Sequence, residues 1–502
     1  MPRKMPIFYS ALMLTGVNLF LRLVGTSFQV YLSGRIGAAG VGLLQLVLSV
    51  GGLTLTAGMA GIRTATMYLT AEALGRRQPE KVGRVLSVCF CYSLLCSLIV
   101  GGTVYFGAPR IAEQWIGNSS TVYAVRLVAV FLPINCLCGV MTGYFTAANR
   151  IALLSLVEIG EQACSMGVTM TLLSLWAGSD PGRACVSVVL GSGTSGLVCL
   201  GTLSILRLLE RASRAAGKEP VVRRLLQTAM PLALGDDLKA GLNTAENLMV
   251  PKRLARFPGA ADPLASFGTV CAMVFPVLMF PACILYALAE LLIPELARCN
   301  AAGSQVRIRY LTRRSLRLAL LYGCCFGGLL FLSSEPLCLG LYGNREAGRF
   351  LKLFSLLVPM LYCDAVTDAM IKGLGQQKAS VRYNIFTSAL DLALLFVLLP
   401  LWGMEGYFAS FLVTHLINFA LSLRRLLKIS RVRIRVKVAV AALCCAVAAA
   451  WVAAAVPGVW LRCGAFLLVL GCLWVLTRVV SREDGLWLAG VIKNQPIQNR
   501  MG

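Results

Sequence analysis

The chain has 502 residues, 58% of them hydrophobic and 14% charged, with a mean hydropathy of +0.76 and a formal net charge of +25. A water-soluble enzyme of this length is excluded by so apolar a composition. The positive charge does not point to nucleic acid, because Lys and Arg cluster between apolar runs, where they set membrane topology and meet anionic head groups.

In chain order, apolar runs long enough to cross a bilayer lie near 7–33, 40–68, 85–106, 121–145, 151–176, 184–206, 226–251, 263–292, 315–334, 348–371, 382–402, 405–423, 438–456 and 462–480. These fourteen spans predict an all-α polytopic membrane protein. The longest polar stretches, near 207–225 and 294–314, are expected to be loops. No small-residue cleavage site follows the first apolar run, so no removable signal peptide is expected. With the N-terminus inside, the inside segments hold roughly 33 of the 47 Lys and Arg, against about 9 outside. Both termini are therefore expected in the cytoplasm.

The spans repeat. "FLPINCLCGVMTGYFTAANR" (131–150) in span 4 is echoed by "LVPMLYCDAVTDAMIKGLGQ" (357–376) in span 10, six spans later. The expected organisation is a parallel repeat: an N-lobe over 1–208, a basic cytoplasmic linker over 209–225, a C-lobe over 226–425, and spans 13–14 with a cytoplasmic tail over 426–502. Spans 13 and 14 carry almost no charge, which suits a peripheral helix pair facing lipid.

Two polar stripes interrupt this apolar pattern. Asn18, Arg22, Gly25 and Gln29 fall at steps of 4, 3 and 4 and share one face of span 1. Asp236, Lys239, Asn243 and Glu246 do the same in span 7, with Asp237 beside them. A charge at mid-membrane costs about 2.5–3.5 kcal/mol, so it faces a bundle interior or a wet cavity. Stripes on equivalent helices of two halves argue for a hydrated cavity. For span 7 an Asp236–Lys239 ion pair at i, i+3 is the alternative; for Arg22, with no acid within four residues, it is a salt bridge to another helix. Arg63 is a further cavity candidate, or a side chain that snorkels to the head groups. Glu158 and Glu161 in span 5 are candidates for ion coupling or charge pairing. Asp364 and Asp368 in span 10 are candidate cavity acids, with Lys372 assigned to the following loop. Asp391, His415 and Asn418 are assigned to structural hydrogen bonding.

Nineteen cysteines lie mostly inside apolar spans with no metal-ligand spacing, and are read as small hydrophobic residues. No nucleophile elbow, phosphate-binding loop or metal cluster is present in the sequence. The expectation is a secondary carrier without catalytic residues, cofactor or metal.

The segment "LRLVGTSFQVYLSGRIGAAGVGLLQL" (21–46) resembles the opening of the stage V sporulation protein B and polysaccharide-exporter group of the MOP flippase superfamily. "AGIRTATMYLTAEALGRRQPEKVGRVL" (60–86), "TAMPLALGDDLKAGLNTAENLMVPKRL" (228–254) and "FPVLMFPACILYALAELLIPELARC" (275–299) extend the likeness, in order, over about residues 7–425. The resemblance implies two six-helix lobes around a V-shaped central cavity in alternating access. It implies transport of an undecaprenyl-diphosphate-linked oligosaccharide across the bacterial plasma membrane, for cell-wall, spore-cortex or exopolysaccharide assembly. Related lipid II flippases use span 1 arginines, and Arg22 matches the first such position. Gln29 stands at or beside the second, Arg63 stands where relatives carry proline, and span 8 lacks arginine. The cavity candidates for the substrate are thus Arg22, Gln29, Arg63, Lys239 and Asn243. The implied partners are a polyprenyl-linked glycan, anionic lipids and envelope-assembly proteins, around a monomer that binds no nucleic acid. Two rival readings stand beside this one: a MATE-type cation-coupled antiporter using Asp236, Glu246 or the span 5 acids, and a non-transporting envelope-assembly scaffold.

Overall fold

A computed structural model describes residues 7–75, 79–178, 180–209, 221–432 and 436–480. Every regular element among them is a helix: α1 (Ile7–Met59), α2 (Ile62–Gly75), α3 (Pro79–Arg110), α4 (Val122–Ala147), α5 (Ile151–Leu172), α6 (Pro181–Leu209), α7 (Val221–Leu254), α8 (Pro263–Gly268), α9 (Phe275–Met279), α10 (Ala282–Ala301), α11 (Gln305–Tyr342), α12 (Arg345–Ser355), α13 (Val358–Gly373), α14 (Gln377–Ser430), α15 (Val436–Ala454) and α16 (Val459–Leu476). Hydrocarbon leaves a backbone amide no partner except within its own helix, so long apolar runs fold this way.

Two of these helices are far longer than the roughly 20 residues that cross a bilayer. α1 has 53 residues and α14 has 54. Each is interrupted by one non-helical glycine, Gly37 at φ 68° and Gly403 at φ 57°. Glycine alone adopts such angles without strain from a Cβ. The expected boundaries between spans 1 and 2 and between spans 11 and 12 fall on these residues. Among the described residues, eight helices are long and apolar enough to cross a membrane, or up to ten if each of two bent pairs is one span. α7 is outside the eight because Asp236, Asp237, Lys239 and Glu246 crowd its central stretch.

The structure departs from the expected spans in three places. The run 263–292 is broken between α9 and α10 by a 63° bend, and the run 348–371 is bent by 60° between α12 and α13. Pro281 precedes α10, and Pro359 opens α13. Proline offers no amide hydrogen and is best placed near a helix start, although Pro133 and Pro336 sit inside α4 and α11. The polar stretch 294–314 is mostly helix rather than loop, since α10 runs to Ala301 and α11 begins at Gln305. Arg and Gln are good helix formers, and Arg307 reaches back to Glu295 at 2.6 Å.

The chain divides into two compact units, 1–283 with 381–414, and 284–380 with 415–502. In the first, α1 packs on α7 and α8, and α4 packs on α2, α3 and α6. Its core joins Ile62, Ala65, Val85, Val140, Phe145 and Ala229. In the second, α11 packs on α12, α13, α15 and α16. There Phe466 and Leu470 of α16 meet Ala449 and Ala453 of α15 and Leu332 of α11. All nineteen cysteines are free, ten of them buried among such apolar neighbours.

Small residues let helices approach closely where hydrocarbon supplies no hydrophobic drive between them. A Cβ on Gly268 would lie 2.1 Å from the Ala38 carbonyl and 2.7 Å from the Gly42 amide. Gly268→Val is therefore expected to lower stability by about 1–3 kcal/mol or more. Gly201→Ala, where nothing lies within 4 Å, should hold or raise it. Thermal midpoints of the two purified variants against the parent check both.

Candidate functional site

The polar stripe of α7 lies on an exposed face. Asp236, Lys239 and Asn243 are exposed and Glu246 is half-buried, while Ala229, Ala233, Thr244 and Val250 of the same helix are buried. The buried face is fixed to α1 by two hydrogen bonds: Thr244 Oγ1 donates to the Ser49 carbonyl at 3.0 Å, and Asn247 Nδ2 donates to Ser49 Oγ at 2.9 Å. No ion pair joins Asp236 and Lys239 among the described residues. Asp237 is half-buried, and its Oδ1 has no hydrogen-bond partner.

Span 1 behaves similarly. Arg22 is exposed on α1, and its carbonyl accepts from Thr26 Oγ1 at 2.9 Å. Gln29 is half-buried with its Nε2 buried and unpartnered. The side chain of Asn18 lies outside the described residues. Arg63 is exposed one residue into α2, just past the break at Ala60–Gly61. Glu158 of α5 lies within electrostatic reach of Arg63 and of Glu161. Glu158 thus comes near Arg63, a basic residue 95 positions earlier in the chain.

A second polar group sits deeper in the same unit. Glu246 on α7 lies within electrostatic reach of Asp391 on α14. Asp391 is 7% exposed. Its Oδ1 accepts from Ser410 Oγ at 2.5 Å and from Thr414 Oγ1 at 3.2 Å. Asp391 was assigned to structural hydrogen bonding. It does bind hydroxyls, and it also faces an acid that the sequence places 145 residues away. The legible signal was Ser410 and Thr414, four apart and on one helical face of an otherwise apolar run.

In the other unit, Asp364 Oδ2 accepts from Asn418 Nδ2 at 3.1 Å. Asp368 is bound by Lys372 at 2.5 Å and accepts from Ser380. Lys372 is not a loop residue: it lies in the last turn of α13. A cation there is favoured by the helix dipole and by an aspartate one turn back.

Residues 15–175 match the MatE family model. Stage V sporulation protein B of Bacillus subtilis (strain 168) is 22% identical over 417 residues, 80% of each chain. The lipid II flippase MurJ, in an inward closed conformation, superposes with a TM-score of 0.72 over 93% of this chain and 99% of its own, at 11% identity. A multidrug resistance MATE family transporter in an inward-facing conformation gives a TM-score of 0.63, at 13% identity, over 83% of this chain and 99% of its own. The fold is that of the MOP superfamily. The match over residues 15–175 and the shared fold support a multi-pass membrane protein, in agreement with the resemblance carried by residues 21–46.

Within the MOP fold the Glu246–Asp391 pair is held by hydroxyls as well as by helix packing. Asp391→Ala leaves Ser410 Oγ without its side-chain acceptor and is expected to cost about 1–3 kcal/mol. Asp391→Asn keeps an acceptor oxygen and should cost less. Unfolding of both variants in the same detergent orders them.

Proposed function

We propose that the protein flips an undecaprenyl-diphosphate-linked oligosaccharide across the bacterial plasma membrane by alternating access. The observation that carries this reading is the fold match to a lipid II flippase over 93% of the chain, against 83% for a MATE transporter. The relationship to a sporulation protein over 80% of both chains supports it from sequence. In this reading there are fourteen spans, with both termini cytoplasmic. Residues 1–208 and 226–425 form two lobes, joined by the basic linker 209–225 and followed by spans 13 and 14.

The chemistry is coherent. A polyprenyl diphosphate joins an anionic, hydrophilic head to a long apolar tail. The head needs a wet path and cations, and the tail needs lipid. Arg22, Arg63 and Lys239 are exposed basic groups on helices of the membrane domain, with Gln29 and Asn243 as neutral hydrogen-bonding groups. Arginine binds phosphate oxygens through two parallel N–H donors. The acids act in coupling: Glu246 with Asp391 takes up a proton or cation, Asp236 and Asp237 tune the charge of the α7 stripe, and Glu158 and Glu161 balance Arg63. Asp368 is structural, bound by Lys372 and Ser380, while Asp364 remains a candidate acid, with only Oδ2 bound by Asn418.

A MATE-type antiporter is the second reading. It is favoured by the MatE match over 15–175 and by the Glu246–Asp391 pair, since a carboxyl pair suits cation coupling for any cargo.

The test is flipping in liposomes of fluorescent lipid II and, separately, of another undecaprenyl diphosphate glycan. Arg22→Ala is expected to cut the rate at least about tenfold, the worth of one lost charge-assisted contact, while expression and thermal midpoint hold. Normal flipping by a well-folded Arg22→Ala protein removes arginine from the path. Movement of cationic drugs and of neither lipid favours the antiporter. Glu246→Gln is expected to abolish gradient-driven accumulation while passive equilibration persists; unchanged gradient dependence removes the pair from coupling.

A further inference from the structure

The far end of α7 carries a feature that the transport reading does not use. An open cavity of about 490 Å³ lies where Leu53 of α1, the C-terminal half of α7, Trp115 and Phe396 of α14 come together within one compact unit. That volume is typical of small-molecule sites. Its rim is cationic: Lys252, Arg253 and Arg256 line it, and no carboxylate does. Lower down it is apolar, with Leu53, Leu248 and Met249.

The walls are braced. Thr244 and Asn247 tie α7 to Ser49, Lys252 Nζ donates to the Gln114 carbonyl, and the Arg253 guanidinium carbon sits 3.1 Å from the centroid of the Phe396 ring. Stacking on a ring fixes the guanidinium plane and leaves its edge donors for a ligand. Trp115 and Phe396 are half exposed, 46% and 50%, as aromatic residues are at a membrane–water interface.

The dimensions place the pocket in one leaflet. From Gly241 at its base to Arg253 at its rim the helix rises about 18 Å, close to the roughly 15 Å thickness of one hydrocarbon leaflet. Cations at head-group depth above an apolar slot match a phosphate ester on an apolar chain. Topology does not explain the cations. In the proposed orientation this end of α7 is outside, where Lys and Arg are scarce, yet three lie within residues 252–256.

We propose that this pocket binds the phosphate head of an anionic lipid, with the first part of its chain along Leu53 and Leu248. Resting on the flippase reading and its orientation, it is a landing site on the product side, where the diphosphate of a newly flipped polyprenyl lipid docks before it diffuses away. The basic rim receives the head while α1 and α14 leave the tail to the bilayer.

Trp115 reports occupancy. The full-length protein is reconstituted with chain-brominated phosphatidylglycerol or phosphatidylcholine. Quenching of Trp115 is isolated by subtracting a Trp115→Phe protein from the wild type. The anionic lipid should quench at about tenfold lower mole fraction or less, from about 1 kcal/mol per basic residue at the surface. The Arg253→Gln/Arg256→Gln protein should lose that preference. Undecaprenyl diphosphate should compete with the brominated lipid, and inorganic diphosphate should not at equal concentration. Equal quenching by both lipids, or a preference that survives the double substitution, overturns the proposal. Competition by inorganic diphosphate as strong as by the lipid makes the ligand a soluble phosphate and overturns the lipid assignment. If Trp115→Phe fails to fold, native mass spectrometry of lipid retained by the wild type and the double variant gives the same comparison. The assay needs no transport: selective binding without flipping overturns the flippase reading and keeps the pocket, and flipping without selective binding does the reverse.

Discussion

Hydrocarbon offers a polar group nothing to bond to, and the whole structure answers to that fact. The backbone answers by closing every amide within helices. Side chains answer by pairing, as Asp368 does with Lys372 and Asp391 with Ser410 and Thr414. Where a polar side chain of a transmembrane helix is left exposed, as on the α7 stripe, the exposure needs water, lipid head groups or cargo to meet it. Function is thus written as unpaid desolvation at a few positions in an otherwise apolar chain.

The same constraint shapes the helices. Without a hydrophobic drive between them they pack through small residues and a few hydrogen bonds. Gly268 against Ala38 and Gly42, and Ser49 receiving Thr244 and Asn247, hold α1, α7 and α8 together in one unit. Breaks fall where one residue permits them: Gly37 and Gly403 by a positive φ, and Pro281 and Pro359 by a missing amide hydrogen. Such breaks are natural places for helices to bend.

The polar groups divide by their partners. Asp368 is satisfied in its own unit by Lys372 and Ser380, whereas Asp364 binds Asn418 through Oδ2 and leaves Oδ1 buried without a partner. Glu246 and Asp391 bring two acids near each other within one unit. The cations at the Leu254 end of α7 stand in a pocket without a single lining carboxylate.

The sequence by itself determined the class and the stripes. Apolar runs are additive along the chain, and helical periodicity is local, so an all-helical membrane fold and the shared face of Asp236, Lys239 and Asn243 were legible without contacts. The family resemblance was legible for the same reason, in contiguous motifs such as residues 21–46. Which acid meets which base was not. Glu158 near Arg63, Glu246 against Asp391 and Arg253 on Phe396 join residues 95, 145 and 143 positions apart. Lys372 showed the same limit at short range, since whether it ended a helix or began a loop depended on where α13 stopped. Pairing in a membrane is decided by which helix faces pack together, and only the tertiary structure sets that.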